Sequence, residues 1–184
     1  MKLNLGSGKK KKEGYLGVDI RKLENVDIVA DLTKIPYPFQ VDSVDEIFME
    51  EFLEHISWRE VFKVLKECWR ILKPNGILSI SSPDIGKMCE YYVNREVCDC
   101  VPRKVDDEED YKPNPKCFKC CGRAKINPVR WHMAFTGNQN HEYDFHREVL
   151  TFDYLSNMLN STGFKNIKKI EHIYKLKVSC IKKE

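Results

Sequence analysis

Three sets of residues in this 184-residue chain have types and spacings that chemistry uses. The first is a glycine turn, Gly6-Ser7-Gly8, followed by carboxylates at Asp19, Asp31 and Asp84. Glycine has no Cβ and lets a ligand lie against the backbone. An acidic residue at the end of a second strand can take both hydroxyls of a ribose. In outline this is a nucleoside site, with a plain turn between two strands as the alternative reading. The second set is Cys98-x-Cys100 followed by Cys117-x-x-Cys120-Cys121. Four thiolates in two close pairs can wrap a tetrahedral zinc, with Cys121 as the alternative to Cys120, and His132 could replace one of them. Free thiols and disulfides are the competing readings. The third set is the histidines His55, His132, His141 and His146, whose ring type suits proton transfer near neutral pH. The last three read more readily as loop or structural residues.

The glycine turn excludes some ligands. In the frame of the dinucleotide fingerprint Lys11 stands where a third glycine belongs. Without that glycine and a following helix N-terminus, no pyrophosphate cradle is expected. A cofactor carrying ribose but no phosphates fits better.

The elements that must position these groups alternate. Leu3 and Leu5 form a strand that breaks at Gly6, and Tyr15–Val18 forms a second that ends on Asp19. The link between them is short for a parallel crossover, which usually needs a dozen residues or more. Either the first crossover helix is reduced to a loop or these strands do not pair. Lys9 to Lys12, within that link, read as solvated loop. Val26–Ala30 and Val44–Met49 are further strands, then a helical stretch spans Glu50–Ile56. A longer helix covers Trp58–Leu72, with Val61, Phe62, Leu65, Cys68, Trp69 and Leu72 as its apolar stripe. Asn75-Gly76 turns the chain into a fifth strand, Ile77–Ser81. Regular pattern dissolves between Met88 and Arg147, where an acidic loop spans Asp106–Asp110. It resumes with a helix at Phe152–Ser161, closed by Gly163, and a hairpin of Ile167–His172 and Lys175–Ile181. Strands alternating with helices argue an α/β, mostly parallel sheet. In such a sheet ligands bind beyond the carboxyl ends of the strands, so one pocket can collect the glycine turn, Asp19, Asp31 and Asp84.

Bulk numbers set outer bounds. The length suits one domain, 1–184, with 88–148 as an insertion on the substrate side. A net charge of +3 lacks the strong basic excess that nucleic-acid binding usually shows. No apolar run approaches the ~20 residues of a membrane helix, and no signal-peptide core precedes the first strand. The chain is therefore expected in the cytoplasm, with the Asn160-Ser161-Thr162 sequon idle, its cysteines thiols or metal ligands, and no membrane partner. Cys68, Cys89 and Cys180 read as small hydrophobes.

In this order and spacing the residues resemble class I S-adenosylmethionine-dependent methyltransferases of the methyltransferase-11-like group. Leu3-Asn4-Leu5-Gly6-Ser7-Gly8 is similar to the first motif in abbreviated form, and Gly14-Tyr15-Leu16-Gly17-Val18-Asp19 to the second strand. Phe52-Leu53-Glu54-His55-Ile56 matches the L-E-H signature after strand four. Trp69-Arg70-Ile71-Leu72-Lys73-Pro74-Asn75-Gly76 matches the R-x-L-K-P-G-G turn, with Asn75 in place of the first glycine. The resemblance covers residues 1–84 well and 149–181 moderately, and does not reach 85–148. It implies a Rossmann-like, mostly parallel sheet with an antiparallel C-terminal hairpin strand, carrying the Cys-rich insertion. It implies S-adenosylmethionine held by Leu5, Gly6, Ser7, Gly8, Asp19, Ile20, Asp31, Leu32 and Glu51, with Asp31-Leu32 at the adenine. Two departures are the missing acidic residue and third glycine of the first motif, and the missing N-terminal helix that often covers the cofactor.

Methyl transfer from a sulfonium is mainly a positioning problem, since the methyl is already activated. His55 and Asp84 are the candidates to orient an acceptor or take its proton; Glu54 is read as structural. The expected function is methyl transfer to a small molecule or saccharide. An RNA or protein methyltransferase is the rival, resting on Lys9–Lys12, Lys165, Lys168, Lys169, Lys182 and Lys183 and the possible zinc knuckle. A non-catalytic binding module on the same fold is the third reading.

Overall fold

The computed structural model describes residues 1–94, 133–137, 139 and 141–183. Cys98, Cys100, Cys117, Cys120, Cys121, His132 and the acidic loop lie outside them. The zinc reading therefore falls on positions outside the described residues.

A seven-stranded sheet runs through the chain: β1 (Lys2–Leu5), β2 (Leu16–Asp19), β3 (Ile28–Val29), β4 (Val44–Glu50), β5 (Leu72–Pro83), β6 (Phe164–Ile170) and β7 (Lys175–Lys182). Its order is β3-β2-β1-β4-β5-β7-β6. The first five strands pair in parallel, and β7 joins β5 and β6 antiparallel. From β1 the chain first builds outward through β2 and β3, then returns to build β4 and β5 on the other side. The tips of β1 and β4 therefore flank a topological switch point, where such sheets bind ligands.

β1 pairs with β2 without a crossover helix. The loop between them takes the helix's place over the sheet. Asn4 Oδ1 accepts from the Lys12 amide at 2.8 Å, and Lys11 Nζ pairs with Asp27 at 2.8 Å. The Lys12 ammonium lies 4.6 Å and 4.3 Å from the ring centres of Tyr15 and Phe48. Lys9 and Lys10 are exposed as expected, but Lys11 and Lys12 are not merely solvated.

Helix α1 (Trp58–Ile71) begins at Ser57, whose hydroxyl accepts from the Arg59 amide. Val61, Val64, Leu65, Cys68 and Ile71 are fully buried along it, so the stripe centres one residue away from Phe62 and Trp69, which sit at its margins. Glu67 is buried on the same helix. It accepts from the Tyr37 amide and, through both oxygens, from Arg70, whose guanidinium also donates to the Phe39 carbonyl. Arg70 of the R-x-L-K-P turn thus staples the 37–39 loop to α1.

Three elements differ from expectation. The reading of a helix over Glu50–Ile56 fails: β4 runs to Glu50, Glu51 turns at φ +51°, and only Leu53–His55 forms a 3₁₀ turn. β5 starts at Leu72, and Val44 pairs with Leu72 but Glu46 with Ile77, so the Lys73–Gly76 turn is a bulge inside the strand, with Asn75 at φ +63°. A helix, α2 (Ile85–Val93), stands where regular pattern was expected to fade. Its Ile85, Met88 and Tyr91 form a satellite core with Ala134. Cys89 on α2 is exposed, unlike the buried Cys68 and Cys180. The last helix, α3 (Phe152–Thr162), closes at Gly163, whose φ of +113° suits glycine.

Candidate functional site

A cavity of about 1390 Å³ opens at the switch point, larger than the roughly 300–1,000 Å³ of an ordinary small-molecule site. The volume leaves room for a cofactor and a second molecule. Gly6, Ser7, Gly8, Asp19, Ile20, Asp31, Leu32, Glu51 and His55 line it. Leu5 lies fully buried beneath it, in β1.

The glycine turn requires its glycines. Gly6 has φ +66°, and a Cβ there would sit 2.5 Å from the Phe52 ring. Gly8, at φ +55°, donates its amide to Asp19 Oδ2 at 2.8 Å. Asp19 is 5% exposed. Its Oδ1 accepts from the Arg21 amide (2.9 Å) and Nε (3.1 Å). Burial pushes its pKa up, but the Arg21 donors and the Gly8 amide outweigh that and hold it below the usual carboxylate value. Three donors take three of the about four acceptor positions of a carboxylate, so room for one hydroxyl remains while Arg21 stays in place. Asp31, past the tip of β3, folds into a turn by accepting from the Thr33 hydroxyl (2.7 Å) and amide (3.0 Å), which lower its pKa.

At the tip of β4, the Glu51 amide donates to the Ser81 carbonyl at 2.8 Å. Lys175 on β7 reaches Glu50 at 2.7 Å and Glu51 at 3.3 Å. Burial works against its charge, yet the two carboxylates raise its pKa. Next along the chain, burial and then Glu51 push the Glu54 carboxyl well above its usual range. Burial, and then the His146 ring, drive the pKa of His55 down to about 4. At neutral pH His55 is an uncharged imidazole.

One expected member is missing. Asp84 does not line the cavity. It caps α2 by accepting from the Lys87 amide at 3.1 Å and pairs with Lys169 at 2.9 Å. The carboxylate at the tip of β5 turns toward the helix that follows, so the pocket collects the other strand tips without it.

His141 and His146, expected as loop or structural residues, belong to a segment that lines the cavity. Its backbone is tied to the L-E-H turn, because the Arg147 and Glu148 amides donate to the Glu54 carbonyl at 2.6 and 3.1 Å. Arg21 Nη1 meets His141 Nε2 at 2.6 Å, so the segment also reaches the Asp19 end of the cavity. His146 stands beside His55, ring centres 4.8 Å apart. Nothing in the spacing of these residues along the chain signals the pairing.

Residues 8–80 match the family model described as a methyltransferase domain. Over that stretch the chain is similar to methyltransferase domains, as its Rossmann-like sheet order implies. No curated protein matches the chain by sequence. Among solved structures, a methyltransferase dependent on S-adenosylmethionine (SAM) from Archaeoglobus fulgidus superposes with a TM-score of 0.57 at 13% identity, covering 98% of this chain and 85% of its own. One from Methanosarcina mazei reaches 0.56 at 16% identity, covering 99% and 92%. The 1,6-didemethyltoxoflavin-N1-methyltransferase of Burkholderia thailandensis, bound to 1,6-didemethyltoxoflavin and S-adenosylhomocysteine, reaches 0.57 at 11%, covering 100% and 71%. At these identities the likeness speaks for the fold.

The residues of the cavity fit a SAM-type cofactor. A ligand approaching the turn meets bare backbone at Gly6 and Gly8, and the buried Ser7 hydroxyl has no hydrogen-bond partner among the described residues. No helix follows the turn, so no set of helix-end amides awaits a phosphate.

Proposed function

We propose that this methyltransferase transfers the methyl group of SAM to a polar small molecule or saccharide. Asp19, with one acceptor position left, would take a ribose hydroxyl, and Gly6–Gly8 would carry the backbone side of the cofactor. Asp31 and Leu32 would flank the adenine, and Ile20 and Glu51 would complete the pocket. When bound, the cofactor supplies an activated methyl on a positive sulfur, and the chain's task is to hold the acceptor in line. His55, which also lines the cavity, would serve that task. Asp84 would contribute indirectly, by fixing α2 and, through it, Met88 at the cavity wall.

The observation that carries this reading is Asp19, a buried carboxylate facing the glycine turn inside a switch-point cavity. The polar walls, with Glu50, Glu51, His55, Glu60, Asp144 and His146, suit a polar acceptor. A nucleic-acid acceptor finds less support. Lys11 and Lys169 are held in ion pairs, and Lys182 is 5% exposed and paired with Asp42. The 9–12 loop follows β1, whereas Lys165, Lys168 and Lys169 lie on the edge strand β6, with β4, β5 and β7 between them.

A thermal-shift series tests the reading. S-adenosylhomocysteine at about 100 times its Kd should stabilise the fold by ~2.7 kcal/mol, whereas NAD should leave the melting temperature unchanged. Stabilisation by NAD and none by S-adenosylhomocysteine would refute it.

A further inference from the structure

We propose that Glu54, His55 and His146 form a binding site for a divalent first-row transition-metal cation at the acceptor end of the cavity. Each offers one ligand atom, and these atoms lie within 4.8 Å of one another. The site is built by two elements far apart in sequence. Glu54 and His55 come from the turn after β4, and His146 is clamped above it by the Arg147 and Glu148 amides on the Glu54 carbonyl.

Both rings are set up to ligate. Nδ1 of His55 lies 3.3 Å from the Phe145 carbonyl, and Nδ1 of His146 lies 2.9 Å from the Ala134 carbonyl. A ring nitrogen beside a carbonyl carries the proton and donates it, which leaves each Nε2 with a bare lone pair. This carbonyl-to-imidazole arrangement fixes the tautomer and aims the ring at metal-binding histidines. Neither ring can donate from Nε2 to the other, so the pair has no direct hydrogen bond to gain from sitting at 4.8 Å.

Glu54 supplies an independent observation. It is 1% exposed, and among the described residues neither carboxylate oxygen has a partner in good hydrogen-bond geometry. A buried polar group left unpaired is costly and calls for an explanation. A cation shared with the two imidazoles satisfies it.

Two imidazoles and one carboxylate suit zinc, iron, manganese or nickel rather than calcium. Three protein ligands leave coordination positions open, as in catalytic rather than structural sites. His55 and His146 line the cavity, so the open positions face it and would hold an oxygen of the acceptor. That use rests on the methyl-transfer reading, whereas the cation site does not.

The test is a titration of the full chain with Mn²⁺ alone, followed by electron paramagnetic resonance. Manganese is chosen because thiolates of the cysteine-rich segment compete poorly for it. One Mn²⁺ per chain is expected, with affinity falling at least ~10-fold in Glu54→Gln and in His146→Ala. Nitrogen couplings from two imidazoles in the wild-type spectrum give a readout that does not depend on either variant folding. No binding, unchanged binding in both folded variants, or a spectrum without imidazole nitrogen would overturn the site. S-adenosylhomocysteine binding is measured on the same samples. Its absence would count against the methyl-transfer reading and leave the cation result standing.

Discussion

Replacing Gly6 with alanine should damage the turn in two separable ways. The backbone at Gly6 has φ +66°, and a left-handed conformation costs a non-glycine residue about 1–2 kcal/mol. The new Cβ would also lie 2.5, 2.7 and 2.8 Å from three atoms of the Phe52 side chain. Phe52 packs against the core and cannot retreat freely, so relieving the overlap should cost a further ~1–3 kcal/mol. Together the substitution should destabilise by roughly 2–5 kcal/mol. In a chain of this length each kcal/mol lowers the melting temperature by about 2–4 °C, so a drop of roughly 4–20 °C is expected. A double-mutant cycle with Phe52→Ala separates the terms, because removing the ring abolishes the overlap and leaves the backbone strain. Gly6→Ala in the Phe52→Ala background should then cost only about 1–2 kcal/mol. Equal costs in the two backgrounds would show that Phe52 does not press on the turn, and a cost below about 0.5 kcal/mol in both would refute the left-handed backbone as well.

Two further outcomes follow from buried groups. Donors from Arg70, and then the Tyr37 amide, outweigh burial and hold the Glu67 pKa below its usual value. A depressed folded-state pKa gives stability that is fully present above the unfolded value of about 4.3 and is lost as pH falls through the folded one. Arg70→Gln should therefore cost about 2–4 kcal/mol at neutral pH, since Arg70 is partly exposed, and the gap to wild type should narrow in melts taken below about pH 4.3. A gap that stays constant or widens in acid would contradict the staple. Among the described cysteines, burial pushes the Cys68 thiol strongly up and that of Cys180 to about 12, whereas Cys89 is exposed. Peptide mapping after brief thiol labelling of the native protein should find Cys89 modified and Cys68 and Cys180 intact; rapid labelling of Cys68 would contradict its place in the α1 stripe.

What was legible in the sequence was local. The glycine turn, the strand ending on Asp19 and the α1 stripe are written in residues a few positions apart, and each stands close to where its pattern implies. The Glu50–Ile56 helix was misread because Phe52, Leu53 and Ile56 mimic a helical face, while the pairing of Glu50 with Ser81 carries β4 through the first residue of that stretch. α2 was detectable: Ile85, Met88 and Tyr91 recur at three-residue spacing behind a capping Asp84. Reading Asp84 as a free strand-tip carboxylate hid the cap. The lysine run looked solvated because nothing local says that Asn4, Tyr15 and Phe48 would otherwise lie bare where a crossover helix is absent. The meeting of His55 with His146, and of Arg21 with His141, depends on how a distant segment crosses the cavity, and local pattern carries no trace of that.

On the methyl-transfer proposal, Asp19 would anchor the ribose of a SAM-type cofactor. Calorimetric titration with S-adenosylhomocysteine on the wild type, Asp19→Asn and Asp19→Ala tests it most directly. Micromolar binding to the wild type is expected, with a loss of at least ~10-fold in both variants, corresponding to about 1.4 kcal/mol or more. Equal affinity in all three, with each protein folded by circular dichroism, would contradict it.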